Sequence, residues 1–188
     1  MGKTFEELTT KQIEFIDKQN IYFVATAAES GKVNLSPKGG DSLRVIDSKK
    51  IAWLNLTGSG NESAAHVLRN ARMTIMFCAF EGAPLILRAY GNATVLHEGD
   101  AEWQSYTELF PTYTGARQIF ILDIELVQAS CGMSVPYFSY EGDRDDLIKW
   151  ADKRGHDGVK EYWETRNQKS LDGFDTEIVE RTGLTSSK

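Results

Sequence analysis

Short apolar stretches recur from Ile21 to Gln128, each closed by a turn, and only one small helix is inserted among them. That succession constrains the fold more than any other feature. Ile21–Ala28 (IYFVATAA), Val33–Ser36, Leu43–Ile46, Ile51–Leu56, Met73–Phe80, Ala83–Leu96 and Arg117–Gln128 all read as strands. About six or seven short strands with helices gathered at the two ends of the chain argue for a β-barrel over a parallel α/β sheet. The fold class is therefore mainly β with flanking helices.

Punctuation supports this division. Glu29–Lys32 is a turn, Pro37 is expected to close the second strand, and Gly39-Gly40 is a flexible break. Glu81-Gly82 joins its two neighbours into a hairpin. Residues 4–18 read as a helix opened by a Thr4/Glu7 capping box. Glu62–Arg69 reads as a short helix with Asn61 as its N-cap, and Gly99–Phe110 also looks helical. Arg144–Lys153 and Gly158–Gln168 form two amphipathic helices parted at Arg154–Asp157, and Thr182–Lys188 is expected to fray. The expectation is one domain over residues 1–188, with a barrel core at about 20–130 and a helical tail at about 140–180.

Composition narrows the function classes. The 188 residues carry a formal net charge of −6, whereas a sequence-independent nucleic-acid binder needs a basic surface. No nucleic acid and no membrane are expected as partners, since no apolar run nears the ~20 residues of a span. Met1–Glu7 has no apolar core of a signal peptide. Cys78 and Cys131 form no CxxC pair, which suggests neither zinc nor a disulfide framework and makes the cytoplasm the simplest compartment. No metal site is expected.

Three segments could carry chemistry. Asn34-Leu35-Ser36-Pro37-Lys38-Gly39 sets a hydroxyl and an ammonium two residues apart at a strand end, a combination that suits phosphate. It equally describes an ordinary strand exit with a solvated lysine, the commoner case. Trp53 through Ser63 delivers a strand into the loop Thr57-Gly58-Ser59-Gly60-Asn61 and then into a helix, whose free N–H groups favour an anion. A capped helix without ligand fits that stretch as well. Cys131, in Ser130–Pro136, has none of His66, His97 and His156 adjacent in sequence and reads as a structural thiol. No G-x-G-x-x-G follows a strand, so a dinucleotide fold is unsupported.

In order, GKVNLSPKGG, KKIAWLNLTGSGNESAAHVLRNARMTIMF and ILRAYGNATVL resemble the pyridoxamine 5'-phosphate oxidase-like flavoproteins over residues 20–97, with the strand at 117–128 completing the barrel. The tail, from SCGMSVPYF to EYWETRNQKSLDGFDT, is similar to a bacterial branch described only as oxidase-related. The resemblance implies an FMN-binding split β-barrel, a homodimer with flavin between subunits, and an FMN-dependent oxidoreductase acting on a small molecule or electron donor. It implies that Ser36 and Lys38 contact phosphate or ribityl, that Trp53, Leu54 and Asn55 run beside the isoalloxazine, and that Gly58, Ser59, Gly60, Asn61 and Ser63 cradle the phosphate. No catalytic residue is implied. Two features depart from the vitamin oxidases. Their basic pair is replaced by Gly60-Asn61-Glu62-Ser63, and their C-terminal Arg/His motif has no counterpart, since Arg154 and His156 stand in another context. A deazaflavin- or nicotinamide-dependent reductase, or a non-catalytic flavin- or haem-handling protein, are the alternatives on the same barrel.

Overall fold

A computed structural model describes residues 2–184. Eight strands, all paired antiparallel, form one curled sheet. They are β1 (Lys3–Phe5), β2 (Ile21–Thr26), β3 (Asn34–Gly39), β4 (Leu43–Asp47), β5 (Lys50–Leu56), β6 (Arg72–Cys78), β7 (Ile86–Leu96) and β8 (Ala116–Ser130). The sheet runs β3-β2-β6-β7-β8-β5-β4, with β1 added to β8. This is the split barrel that the family resemblance implies, within the β-barrel class expected from the strand succession: a half-barrel whose free edges, β3 and β4, are consecutive in the chain.

Period-two patterning places the core. In β2, Tyr22, Val24 and Thr26 turn inward, and across β5 and β8 the residues Ile51, Trp53, Phe120 and Leu122 meet them in the barrel interior. Trp53 stacks on Phe120, with ring centroids 4.7 Å apart. The other face of β5 is apolar too. Ala52 and Leu54 pack with Leu96, Phe110, Ile119 and Ile121 in a second core under α3 (Trp103–Thr107). A strand buried on both faces reads as a continuous apolar run, which IAWLNL is.

β8 is the spine, pairing with β7 along one side and with β5 and then β1 along the other. A bulge between Tyr90 and Gly91 bends this pairing. There the two backbones come so close that a Cβ on Gly91 would lie 1.9 Å from the Asp123 carbonyl oxygen, so only glycine fits. The open edges are stitched by Ser42. Its carbonyl accepts from Leu54 N (2.8 Å), its hydroxyl donates to Gly39 O (2.9 Å), and Tyr22 Oη lies 2.8 Å from that hydroxyl.

Several local expectations change. Residues 4–18 are not one helix: β1 pairs with β8, and α1 spans only Thr10–Ile16, its capping box made by Thr9 and Gln12. A three-residue strand has too little pattern to register against a helix. Pro37 does not close β3, because an edge strand tolerates a missing N–H and the pairing with β2 continues to Gly39. Within 99–110 only Trp103–Thr107 is helical. The tail helix α4 (Asp146–Arg166) consists of two stretches meeting at Gly155, whose φ of 66° breaks the helical path, as the sequence predicts. With α5 (Ile178–Arg181) it builds a third core of Ala151, Val159, Trp163, Ile178 and Val179. Of the end expected to fray, Thr182 and Leu184 are hydrogen-bonded back to Ile178 and Val179, while 185–188 lie outside the described residues. No helix among the described residues is long and apolar enough to cross a membrane.

Candidate functional site

Strand alternation turns Asn34, Ser36 and Lys38 of β3 toward the barrel, opposite Thr26, Val24 and Tyr22. Leu35 and Pro37 face out. The inward edge of this open half-barrel is therefore polar. Ser36 Oγ donates to Asn34 Oδ1 (3.1 Å), and Asn34 Nδ2 donates to Ser63 Oγ (3.2 Å). Ser63 belongs to the first turn of α2 (Glu62–Arg69), whose bounds match the sequence expectation. Lys38 Nζ lies 5.0 Å from the centre of the Trp53 ring. Burial lowers its pKa to about 8, and repulsion from Arg117 adds to the shift.

The loop 57–61 is held from behind. Thr57 N and Oγ1 both donate to Gly115 O, and Trp163 Nε1 donates to Thr57 Oγ1. Arg117 Nη1 donates to Gly60 O (3.0 Å), Gly58 O (3.4 Å) and Asn167 Oδ1 (2.8 Å). Asn167 Nδ2 donates to Gly58 O (3.1 Å) and Ser59 O (3.5 Å). The carbonyls of residues 58, 59 and 60 thus converge on one buried cluster. All peptide bonds are trans, so the N–H groups of Ser59, Gly60 and Asn61 point the opposite way. They join the free N–H groups of the α2 N-terminus, a concentration of donors that suits an anion.

Asn61 occupies the N-cap position of α2, but its side chain makes no capping bond. Its Nδ2 instead donates to Asn167 O (3.2 Å), because the tail brings that carbonyl, which also accepts from Thr176 Oγ1 (2.7 Å), within reach, and its Oδ1 is buried without a partner. Arg117 is 3% exposed, and burial lowers its pKa to about 9. No carboxylate pairs with it among the described residues, and its Nε has no partner.

The expected contacts are thus brought together in part. Gly58, Ser59, Gly60, Asn61 and Ser63 gather at the loop, with Ser36 linked to them through Asn34. A groove of about 480 Å³ there is lined by Asn34, Ser59, Gly60, His66 and tail residues 169–171. Lys38 opens onto a different and wider groove with Phe15, Phe80 and Phe138. Trp53 and Leu54 are 1% exposed, their side chains committed to the two cores. Asn55 Nδ2 donates to Gln118 Oε1 in a buried polar chain that continues to His97 Nε2. Sequence reasoning missed Arg117, Asn167 and His66. A charged residue opening an otherwise apolar strand was the only signal for Arg117, and Asn167 had none.

An antiparallel split barrel with a polar inner edge and a donor-rich strand-loop-helix turn is the architecture this chain presents. The pyridoxamine 5'-phosphate oxidase profile matches residues 8–131, and the chain belongs to that family. It is 33% identical to the pyridoxamine 5'-phosphate oxidase family protein ustO of Aspergillus flavus, over 90% of this chain and 76% of that protein. Among solved structures it is similar to HupZ of Group A Streptococcus, with a TM-score of 0.53 and 22% identity over 65% of this chain and 98% of that one. It also resembles a Clostridium acetobutylicum protein related to general stress protein 26, of the pyridoxinephosphate oxidase family. That match has a TM-score of 0.50 and 16% identity over 64% of this chain and 86% of the other. These structural likenesses carry the fold.

Proposed function

We propose that this chain is an FMN-binding flavoprotein that acts as an oxidoreductase on a small molecule. The observation that carries the reading is the orientation of loop 57–61. Arg117 and Asn167 pull its carbonyls inward, which turns three consecutive amides and the start of α2 outward beside the polar edge of β3. A phosphate monoester fits such a cradle, and Lys38, on the neighbouring groove and near enough to Arg117 to feel its charge, adds to the positive field around it. In this reading Ser36, Asn34 and Ser63 orient the ligand along β3, Lys38 offsets the phosphate charge, and Arg117 holds the loop without touching it. Bound flavin would supply the electron chemistry, with the protein binding and orienting it. The described residues form one such cradle, so the chain takes FMN rather than flavin adenine dinucleotide in this reading. Calorimetry should give one FMN per chain and far weaker binding of the dinucleotide. Equal affinity for both, or no FMN binding, would refute the assignment.

The flavin site is completed by a second copy in this reading. Val33 and Leu35 on the edge strand are 72% and 62% exposed. Met133, Tyr137 and Phe138 in the segment after β8 are also exposed, and Phe138 lines the wide groove at Lys38. Exposed apolar residues on this scale mark an interface, and a C2 pairing is the commonest way to cover one. Sedimentation at micromolar concentration should give twice the chain mass. A monomer that holds FMN tightly would contradict this.

A further inference from the structure

His66 is 1% exposed, yet it lines the groove beside Ser59, Gly60 and Asn34. Its two ring nitrogens have different surroundings. Nδ1 lies 3.1 Å from Thr26 Oγ1, and Nε2 has no partner. The hydroxyl settles the tautomer. Were Nδ1 the donor, the Thr26 proton would itself need a second acceptor, and none is found for it among the described residues. With Thr26 donating to Nδ1, every polar atom of the pair is satisfied except Nε2–H. That leaves a buried donor without a partner on a residue that lines the groove, beside the loop whose amides turn away from the buried carbonyl cluster. Such a donor calls for an acceptor from a ligand.

The tail forms the outer wall of the same groove. Leu171 N donates to both Glu62 carboxylate oxygens (3.0 and 3.1 Å), and Asp172 accepts from Lys32 N and Nζ at 2.7 Å each. Gly31 is required at this anchor. Its φ is +90°, and a Cβ there would lie 2.5 Å from Asp172 Oδ2. The rim lysines already face carboxylates, Lys32 with Asp172 and Lys169 with Asp175, whereas His66 Nε2 is buried without a partner.

We infer that His66 Nε2 is the buried donor of the phosphate pocket, with Thr26 setting its tautomer and residues 169–171 closing the pocket from outside. The inference rests on the flavin reading above for the identity of the anion. Its test compares two amides. The amide nitrogen of glutamine can stand where Nε2 stands, whereas that of asparagine reaches only as far as Nδ1. His66→Asn should bind FMN about tenfold or more weakly while leaving riboflavin affinity unchanged. His66→Gln should keep most of the FMN affinity. In parallel, inorganic phosphate titrated into the wild-type chain should shift the His66 imidazole nitrogen resonances, a readout that needs no folded variant. If both variants bind FMN like the parent and phosphate moves neither nitrogen, the pocket is wrong even when FMN binds. If phosphate shifts Nε2 but the wild type binds no flavin, the anion pocket stands and the flavin reading falls.

Discussion

Replacing Arg117 with methionine should lower the unfolding free energy by about 3 kcal/mol and weaken FMN binding at least tenfold. The guanidinium is buried and unpaired with any carboxylate among the described residues, and its desolvation lowers its pKa to about 9. Three charge-assisted bonds, at roughly 1.5–3 kcal/mol each, offset that penalty. Removing the side chain therefore leaves chiefly its orphaned acceptors. Gly60 O and Asn167 Oδ1 have no other donor among the hydrogen bonds described above, and each buried acceptor left bare costs about 1–3 kcal/mol. The loop would lose its fixed carbonyl direction, and the amides opposite would no longer converge. Arg117→Lys should fall between, because all three acceptors converge on Nη1 and an ammonium keeps the charge and the donors, but the lysine side chain is one atom too short to stand there. Denaturant unfolding of the three apo-proteins reads the first effect and flavin titration the second. An Arg117→Met chain at least as stable as the parent would mean that the cation is a frustrated charge rather than a scaffold for the loop.

Lys38→Ala should weaken FMN about ten- to a hundredfold and leave riboflavin, which lacks the phosphate, nearly unaffected. The pH dependence should identify the group. In the free protein burial holds the Lys38 pKa at about 8, with Arg117 adding repulsion, against an ordinary value of 10.5. FMN affinity should thus decline as pH rises through about 8, where the ammonium loses its proton, and the decline should be absent in Lys38→Ala. Stability of the free protein carries the opposite sign. Between pH 8 and 10.5 the unfolded chain binds more protons than the folded one, so this group adds stability as pH rises through that window. Equal weakening of both flavins would move Lys38 from the phosphate to the ring. An unchanged FMN affinity would leave it as a structural cation over the Trp53 ring.

The strands and α2 were legible because their signals are local. Alternation in IYFVAT, the double-faced apolar run in IAWLNL and the glycine-to-helix transition at residues 58–62 each lie within one short window. Gly155 between two amphipathic stretches is a signal of the same kind. The inward aspect of Lys38 was not legible, because Pro37 reads as the end of its strand whereas the pairing with β2 continues to Gly39. β1 was misread because three residues carry no period, and Asn61 because a cap is decided by whatever competes for its amide.

The amino-acid sequence alone determined the antiparallel barrel and its glycine-rich turn into α2, since each follows from propensity and pattern over a few neighbours. Only the tertiary structure decided what stands behind and beside that turn. Asn167 meets the loop across more than a hundred residues of chain, as do Trp163 and Leu171. Arg117 reaches the loop from a strand some fifty-odd residues on, and His66 pairs with a hydroxyl forty residues earlier. Such contacts depend on where the chain returns in space. Their energies come from desolvation and shared hydrogen bonds, which belong to the packed assembly and to no single segment.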